Sequence, residues 1–132
     1  MEGEVRISIT RESDIVVARQ TGRALAAELG FSSCDQTLVA TAISEIARNI
    51  INYAIKGELL LSVVKNGQQG ISITASDEGP GIRNIEQAMQ NGYSSSGSLG
   101  LGLPGAKRLM DEFEIESQPG KGTTIRMKKW KH

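Results

Sequence analysis

Ile71-Ser72-Ile73-Thr74-Ala75-Ser76-Asp77-Glu78-Gly79-Pro80-Gly81-Ile82 is the stretch whose reading decides the fold. Ile71, Ile73 and Ala75 alternate with Ser72 and Thr74, the two-residue period of a half-buried strand. Asp77 continues on the face of Ile71, Ile73 and Ala75. A carboxylate on the apolar face of a strand is costly unless something pairs with it. Gly79 and Gly81 then frame Pro80, so the backbone can come close to another molecule. The stretch reads as one wall of a ligand pocket. It reads equally as the turn that ends an ordinary strand, and the rest of the chain has to separate the two.

Upstream, Leu59 to Val64 reads as a strand buried on both faces for part of its length. Asn66-Gly67 starts a hairpin loop of five residues at most, ended by Gly70. Further back, Val5, Ile7 and Ile9 alternate as a first strand. Glu12 and Asp14 suit the first turn of a helix, where acids meet the positive end of the dipole. Ile15, Ala18, Gly22, Leu25 and Leu29 give that helix its apolar stripe, and Gly30 closes it. Ser33 with Gln36 is a capping-box signature for a second helix, which the periodicity carries to about Ala54.

Downstream, Asn84 to Gln90 has the pattern of a short helix carrying Ile85, Ala88 and Met89. From Gly92 to Gly105 the chain is mostly Gly, Ser and Leu. Pro104 suits the first position of a helix carrying Ala106, Leu109, Met110 and Phe113. Phe113–Ser117 and Thr123–Trp130 read as two closing strands, turned at Pro119-Gly120-Lys121-Gly122. This order predicts an α/β (α+β) two-layer sandwich, an antiparallel or mixed β-sheet with helices on one face.

At 132 residues, the chain reads as a single domain over 1–132 that can bury a real core. Lys plus Arg and Asp plus Glu both number 15, a formal charge of +0. That balance gives no case for nucleic acid or an anionic membrane as a main partner. Cys34 is the one cysteine and His132 the one histidine. An intrachain disulfide, a Cys/His metal site and a His-dependent nucleophile triad are therefore excluded. The longest apolar run, Leu59 to Leu61, is too short to span a bilayer, and the N-terminal residues carry no secretory apolar region. A cytoplasmic location is expected.

The second helix carries a polar anomaly. On a wheel of about 100° per residue, Leu38, Ala42, Ile43, Ile46, Ile50 and Tyr53 form the apolar arc. Asn49 falls inside its edge, and Glu45 lies one turn earlier on the same side. Such a pair can serve Mg²⁺, which takes hard oxygen ligands and keeps several waters. It can equally be a helix-packing amide beside a surface carboxylate. The glycines at 97, 100 and 102 lead into the Pro104 helix, where free backbone N–H groups can hold an anion. The spacing is neither a P-loop nor a Rossmann fingerprint, and the eukaryotic kinase motifs do not occur. Gly120-Lys121-Gly122-Thr123 reads as a hairpin turn that can bring the Thr123 hydroxyl to a pocket.

In this order the four pieces resemble the GHKL superfamily of ATP-binding domains (gyrase, Hsp90, histidine kinase, MutL). Glu45-Ile-Ala-Arg-Asn49 resembles its N-box, Asp77-Glu-Gly-Pro-Gly81 its G1 box, Gly100-Leu-Gly102 its G2 box and Gly120-Lys-Gly122-Thr123 its G3 box. Asp35 to Asn49 and Gly97 to Phe113 are similar to the small bacterial serine-protein kinases of sigma-factor partner switching, of the RsbT stressosome-switch type. The resemblance implies a Bergerat-type fold with ATP between helices and sheet. Asp77 would then accept from the adenine amino group, with Gly79, Gly81, Ile82 and Thr123 around the base. Asn49 would coordinate Mg²⁺, and Glu45 would act as general base. A lid from about Ser94 to Leu103, with Ser98, Leu99, Gly100, Leu101 and Gly102 as nucleotide contacts, would cover the phosphates.

The implied partners are a STAS-domain substrate and a PP2C-type phosphatase that the released kinase activates. Two alternatives stand beside this reading: an anti-sigma factor kinase that holds a sigma subunit, and a nucleotide-binding module without transfer. Sigma-binding relatives have an arginine just before the G2 glycines. Ser98 stands at about that place here, with Lys107 and Arg108 on the following helix. A histidine autokinase is not expected, because His132 is the only histidine in the sequence and no dimerisation hairpin is expected before the domain.

Overall fold

The computed structural model describes residues 4–54, 56–79, 102–117 and 120–131. Among these, β1 (Glu4–Ile9), α1 (Glu12–Glu28), α2 (Ser33–Tyr53), β2 (Gly57–Lys65) and β3 (Gln69–Asp77) come first. After them come α3 (Gly102–Leu109), β4 (Glu112–Ser117) and β5 (Thr123–Trp130). The strands form one sheet in the order β1-β2-β3-β5-β4. Every pairing is antiparallel, so of the two expected arrangements the mixed sheet is not the one adopted. The short helix expected over Asn84 to Gln90 lies outside the described residues.

Alternation sets the two faces. Leu59 and Leu61, Ile71 and Ile73, Ile125 and Met127 are buried toward the helices. Each fully buried Ile or Leu contributes about 1.5–3 kcal/mol. Ser62, Ser72, Thr74 and Thr124 on the other face are half-buried. The expectation that β2 is buried on both faces for part of its length is corrected here. Leu60 is only half-buried, because the helices cover one side of the sheet.

The helices are set by local chemistry. The Asp14 carboxylate accepts from Thr10 N (2.9 Å), Thr10 Oγ1 (3.1 Å) and Arg11 N (3.2 Å), pinning the start of α1. Gly30, at φ +86°, ends it, and Phe31 N–H returns to the Ala26 carbonyl at 3.0 Å. The cap of α2 is Ser32, one residue before the serine expected from sequence. Its side chain accepts from Asp35 N–H at 3.1 Å, while Gln36 reaches back to the Phe31 carbonyl. The third helix begins two residues before Pro104 and stops at Leu109, so Phe113 belongs to β4.

Helix α2 is the centre of the helical layer, packed against α1, α3 and the sheet. Val39, Ala40, Ala42, Ile43, Ser44, Glu45, Ile46, Ala47 and Ile50 are all buried, nearly all round the helix. Its crossing with α1 is close: a Cβ on Gly22 would stand 2.1 Å from Ile43 Cδ1. Asp111, just after α3, accepts from Trp130 N–H at 2.8 Å and lies 3.8 Å from the buried Lys129 Nζ, tying that corner to β5. No described helix is long and apolar enough to cross a membrane.

Candidate functional site

One row of residues crosses the sheet at the end where β3 stops. Ile9 pairs with Gly57, Gly57 with Asp77, Asp77 with Thr123, and Thr123 with Ser117. Ile9 is buried and Gly57 carries no side chain, so the row runs from an apolar residue through a bare backbone to a carboxylate and two hydroxyls. Directly opposed residues of an antiparallel pair have Cβ atoms about 4.5–5.5 Å apart. Asp77 and Thr123 are therefore immediate neighbours, as the pocket reading requires.

Two glycines allow this geometry. Gly122 has φ +85°, and a Cβ on it would stand 2.1 Å from the Asp77 carbonyl oxygen and 3.0 Å from Glu78 Cα. A Cβ on Gly57 would meet Ser76 O at 2.6 Å, and Asp77 Cβ and Ile50 Cγ2 at 3.0 Å each. The first glycine brings the β5 turn against the Asp77-Glu78 backbone. The second brings α2 down onto the sheet beside Asp77. Gly57 carries no signal in the sequence, since a missing Cβ leaves no periodicity to detect.

The side chains are held as follows. Asp77 is half-buried, and its Oδ1 accepts from Gly79 N–H at 2.9 Å, so the carboxylate is turned back along its own turn. Thr123 is 5% exposed, and its Oγ1 lies 2.8 Å from Ser117 Oγ. Ser117 Oγ also donates to the Gly122 carbonyl at 3.0 Å. Ser117 belongs to none of the four motifs. The signal that could have found it is the hairpin itself, which pairs position 117 with position 123 across the turn.

On α2, Ile50 stands over Gly57, and Asn49 and Glu45 lie in the turns just before it. Glu45 is 7% exposed and engaged by a polar partner, whereas Asn49 is half-buried. A surface role for Glu45 is thereby removed. Gly102 is the first residue of α3, which packs on α2. The expected contacts at Gly81, Ile82, Ser98, Leu99, Gly100 and Leu101, and the lid that holds most of them, lie outside the described residues. Gly79, Asp77, Thr123, Asn49, Glu45 and Gly102 are within them.

Among the described residues no three of His, Cys, Asp and Glu stand together as a metal cage. An Mg²⁺ site fits such a donor set, because that ion is bound through one or two protein oxygens together with substrate phosphates and waters. Asn49 would supply one neutral oxygen to such a site. In this row Asp77 can accept from a donor on a ligand, and a buried helical carboxylate such as Glu45 is the type of group that can accept a proton from a hydroxyl.

The Histidine kinase-like ATPase domain family matches residues 8–129 of the chain. The serine/threonine-protein kinase RsbT of Bacillus subtilis (strain 168) is 51% identical over 131 residues, 98% of each chain. An anti-sigma F factor of Thermoanaerobacter sp. (strain X514) is 36% identical over 118 residues, 86% of this chain and 82% of that one. A crystal structure of the RsbU and RsbW domains of a Mycobacterium tuberculosis protein superposes with a TM-score of 0.70 at 18% identity. It covers 98% of this chain and 33% of that one, and shows likeness of fold. The GHKL resemblance read from the four motifs is borne out, and the chain belongs to the Histidine kinase-like ATPase domain family.

Proposed function

We propose that this chain, a serine/threonine-protein kinase, transfers the γ-phosphoryl group of ATP to a serine or threonine of a STAS-domain protein in a stress-signalling partner switch. Once released from that partner it activates a PP2C-type phosphatase. The observation that carries the reading is the Asp77–Thr123 pair, in the row that α2 meets where Ile50 stands over Gly57, in a chain 51% identical over 98% of its length to a protein kinase.

Asp77 accepts from the amino group of the adenine ring, and Thr123 lines the same edge. Glu45 takes the proton of the attacking hydroxyl as the new oxygen–phosphorus bond forms and the bond from the γ-phosphorus to the bridging oxygen breaks, with ADP leaving. A general base in this position contributes about 10²–10⁴-fold. Asn49 would hold Mg²⁺, and that ion would supply neutralisation of charge on the phosphates, the main demand of phosphoryl transfer. The start of α3, whose first residue is Gly102, suits the phosphate end. Nucleotide contacts from Gly79, Gly81, Ile82, Ser98, Leu99 and Leu101 complete the proposed site. A cytoplasmic location is part of this reading, since ATP is the phosphoryl donor.

The test is incubation with ATP, Mg²⁺ and a candidate STAS-domain partner from the same organism. Phosphoserine or phosphothreonine on the partner is expected, and its absence overturns the proposal. Calorimetry with ATP, with and without Mg²⁺, separates nucleotide binding from transfer. The similarity to an anti-sigma F factor supports a second reading, in which the kinase also holds a sigma subunit directly. Capture of purified sigma subunits by the immobilised kinase decides between them. Retention of a sigma subunit favours the second reading.

A further inference from the structure

Ser117 is a half-buried residue at the end of an edge strand, outside every motif, yet it reaches the candidate site through one side chain. A serine hydroxyl has one proton to donate and two lone pairs that accept. The Gly122 carbonyl oxygen can only accept, so the 3.0 Å contact uses the Ser117 proton. The 2.8 Å contact between Ser117 Oγ and Thr123 Oγ1 is then donated by Thr123. With its proton turned toward Ser117, the Thr123 oxygen offers the pocket only lone pairs. Asp77, its neighbour in the row, is also an acceptor when ionised. The row therefore sets two acceptors side by side.

Two adjacent acceptors match a ligand edge that carries donors. The amino group of a 6-aminopurine has two N–H donors. A 6-oxopurine puts a carbonyl oxygen in the same place, an acceptor facing acceptors. Leaving buried polar groups without partners is what makes such a mismatch costly.

We propose that Ser117 is a positioning residue for base selection: by taking the Thr123 proton it fixes that hydroxyl as an acceptor facing the base, and so raises the preference for 6-amino over 6-oxo purine nucleotides. The proposal rests on the nucleotide reading of the Asp77 corner. Ser117 itself acts through Thr123. Without Ser117 the Thr123 hydroxyl rotates freely and can donate to a 6-oxo group.

The experiment compares ATP and inosine triphosphate by calorimetry in the wild-type protein, Ser117→Ala and Ser117→Thr. One neutral hydrogen bond is worth about three- to tenfold in affinity. Ser117→Ala is expected to lose about that much for ATP while inosine triphosphate binds as well as before or better, so the ratio between them falls by about tenfold. Ser117→Thr restores the hydroxyl with a side chain suited to a strand, and restores the ratio. A residue that only supports the fold would weaken both nucleotides equally, and that result overturns the proposal, as does an unchanged ratio. If Ser117→Ala does not fold, Ser117→Cys, with its weak S–H donor, gives the same comparison. Asp77→Asn separates the two levels. If it binds ATP as the wild type does, the nucleotide reading falls and the Ser117 role with it. If it loses ATP while Ser117→Ala keeps the ratio, the Ser117 role alone falls.

Discussion

Replacing Gly122 with alanine tests whether the approach of β5 to Asp77 sets the site. The turn before β5 contains two glycines with positive φ, Gly120 at +80° and Gly122 at +85°. Alanine in the left-handed region costs about 1–2 kcal/mol at either position. The surroundings differ. A Cβ on Gly120 meets nothing within 4 Å, but one on Gly122 would stand 2.1 Å from the Asp77 carbonyl oxygen. That oxygen belongs to backbone, so relief requires a shift of roughly 1 Å by a strand end, comparable to an overpacked core at about 1–3 kcal/mol. Gly120→Ala therefore loses about 1–2 kcal/mol and Gly122→Ala about 2–5 kcal/mol. For a domain of this size each kcal/mol lowers Tm by about 3–4 °C. Thermal unfolding should show drops of about 3–8 °C and about 6–20 °C respectively. In calorimetry Gly120→Ala should bind ATP within twofold of wild type, while Gly122→Ala should bind it at least about tenfold more weakly, the loss of one well-placed hydrogen bond. If Gly122→Ala keeps wild-type ATP affinity, the position of Asp77 does not depend on this contact and the reasoning fails.

Glu45→Gln should keep ATP binding and lower phosphotransfer by about 10²–10⁴-fold in a single-turnover assay; equal losses in binding and turnover would remove the base role. Ser32→Ala should cost about 1 kcal/mol, or about 3–4 °C in Tm, as a lost N-cap, and Ser33→Ala should stay within about 0.5 kcal/mol; the reverse ranking would put the cap at Ser33. The Asp14 carboxyl is held below its ordinary value, chiefly by the Thr10 N–H. A depressed carboxyl stabilises the fold fully above its unfolded pKa and loses that contribution as pH falls through the folded one. Asp14→Asn should therefore flatten the fall in Tm below about pH 4; an NMR titration midpoint for Asp14 at the ordinary value would contradict this.

The legible parts of the fold were those that rest on local pattern. Strand alternation around Ile71 to Asp77 and the stripe from Ile15 to Leu29 matched the observed elements because one face of each is buried and the other is not. The α2 wheel was less informative, since that helix is covered by α1, α3 and the sheet at once. Small residues such as Ala40 and Ala47 and the polar Ser44 and Glu45 are buried there, and the contrast that a wheel detects is lost. The cap of α2 moved by one residue because Ser32 and Ser33 are adjacent and each has a polar residue three positions on.

The site divides along a similar line. Asp77 announced itself as a carboxylate in an apolar alternation, and Glu45 and Asn49 by their spacing on a helix. Gly57 and Ser117 gave no such sign, because one acts by lacking a side chain and the other is an ordinary strand serine. Their roles exist only through register, which brings 57, 77, 117 and 123 into a single row. Register is a property of strand pairs and not of any one segment. The proposed base end of the site is thus fixed by backbone contacts between strands, with Gly122 and Gly57 setting distances that no rotamer change can restore. The proposed chemistry hangs on one buried turn of α2, joined to that row where Ile50 meets Gly57. A perturbation of the row therefore reaches Asp77 directly, whereas it reaches Glu45 only through a contact between sheet and helix.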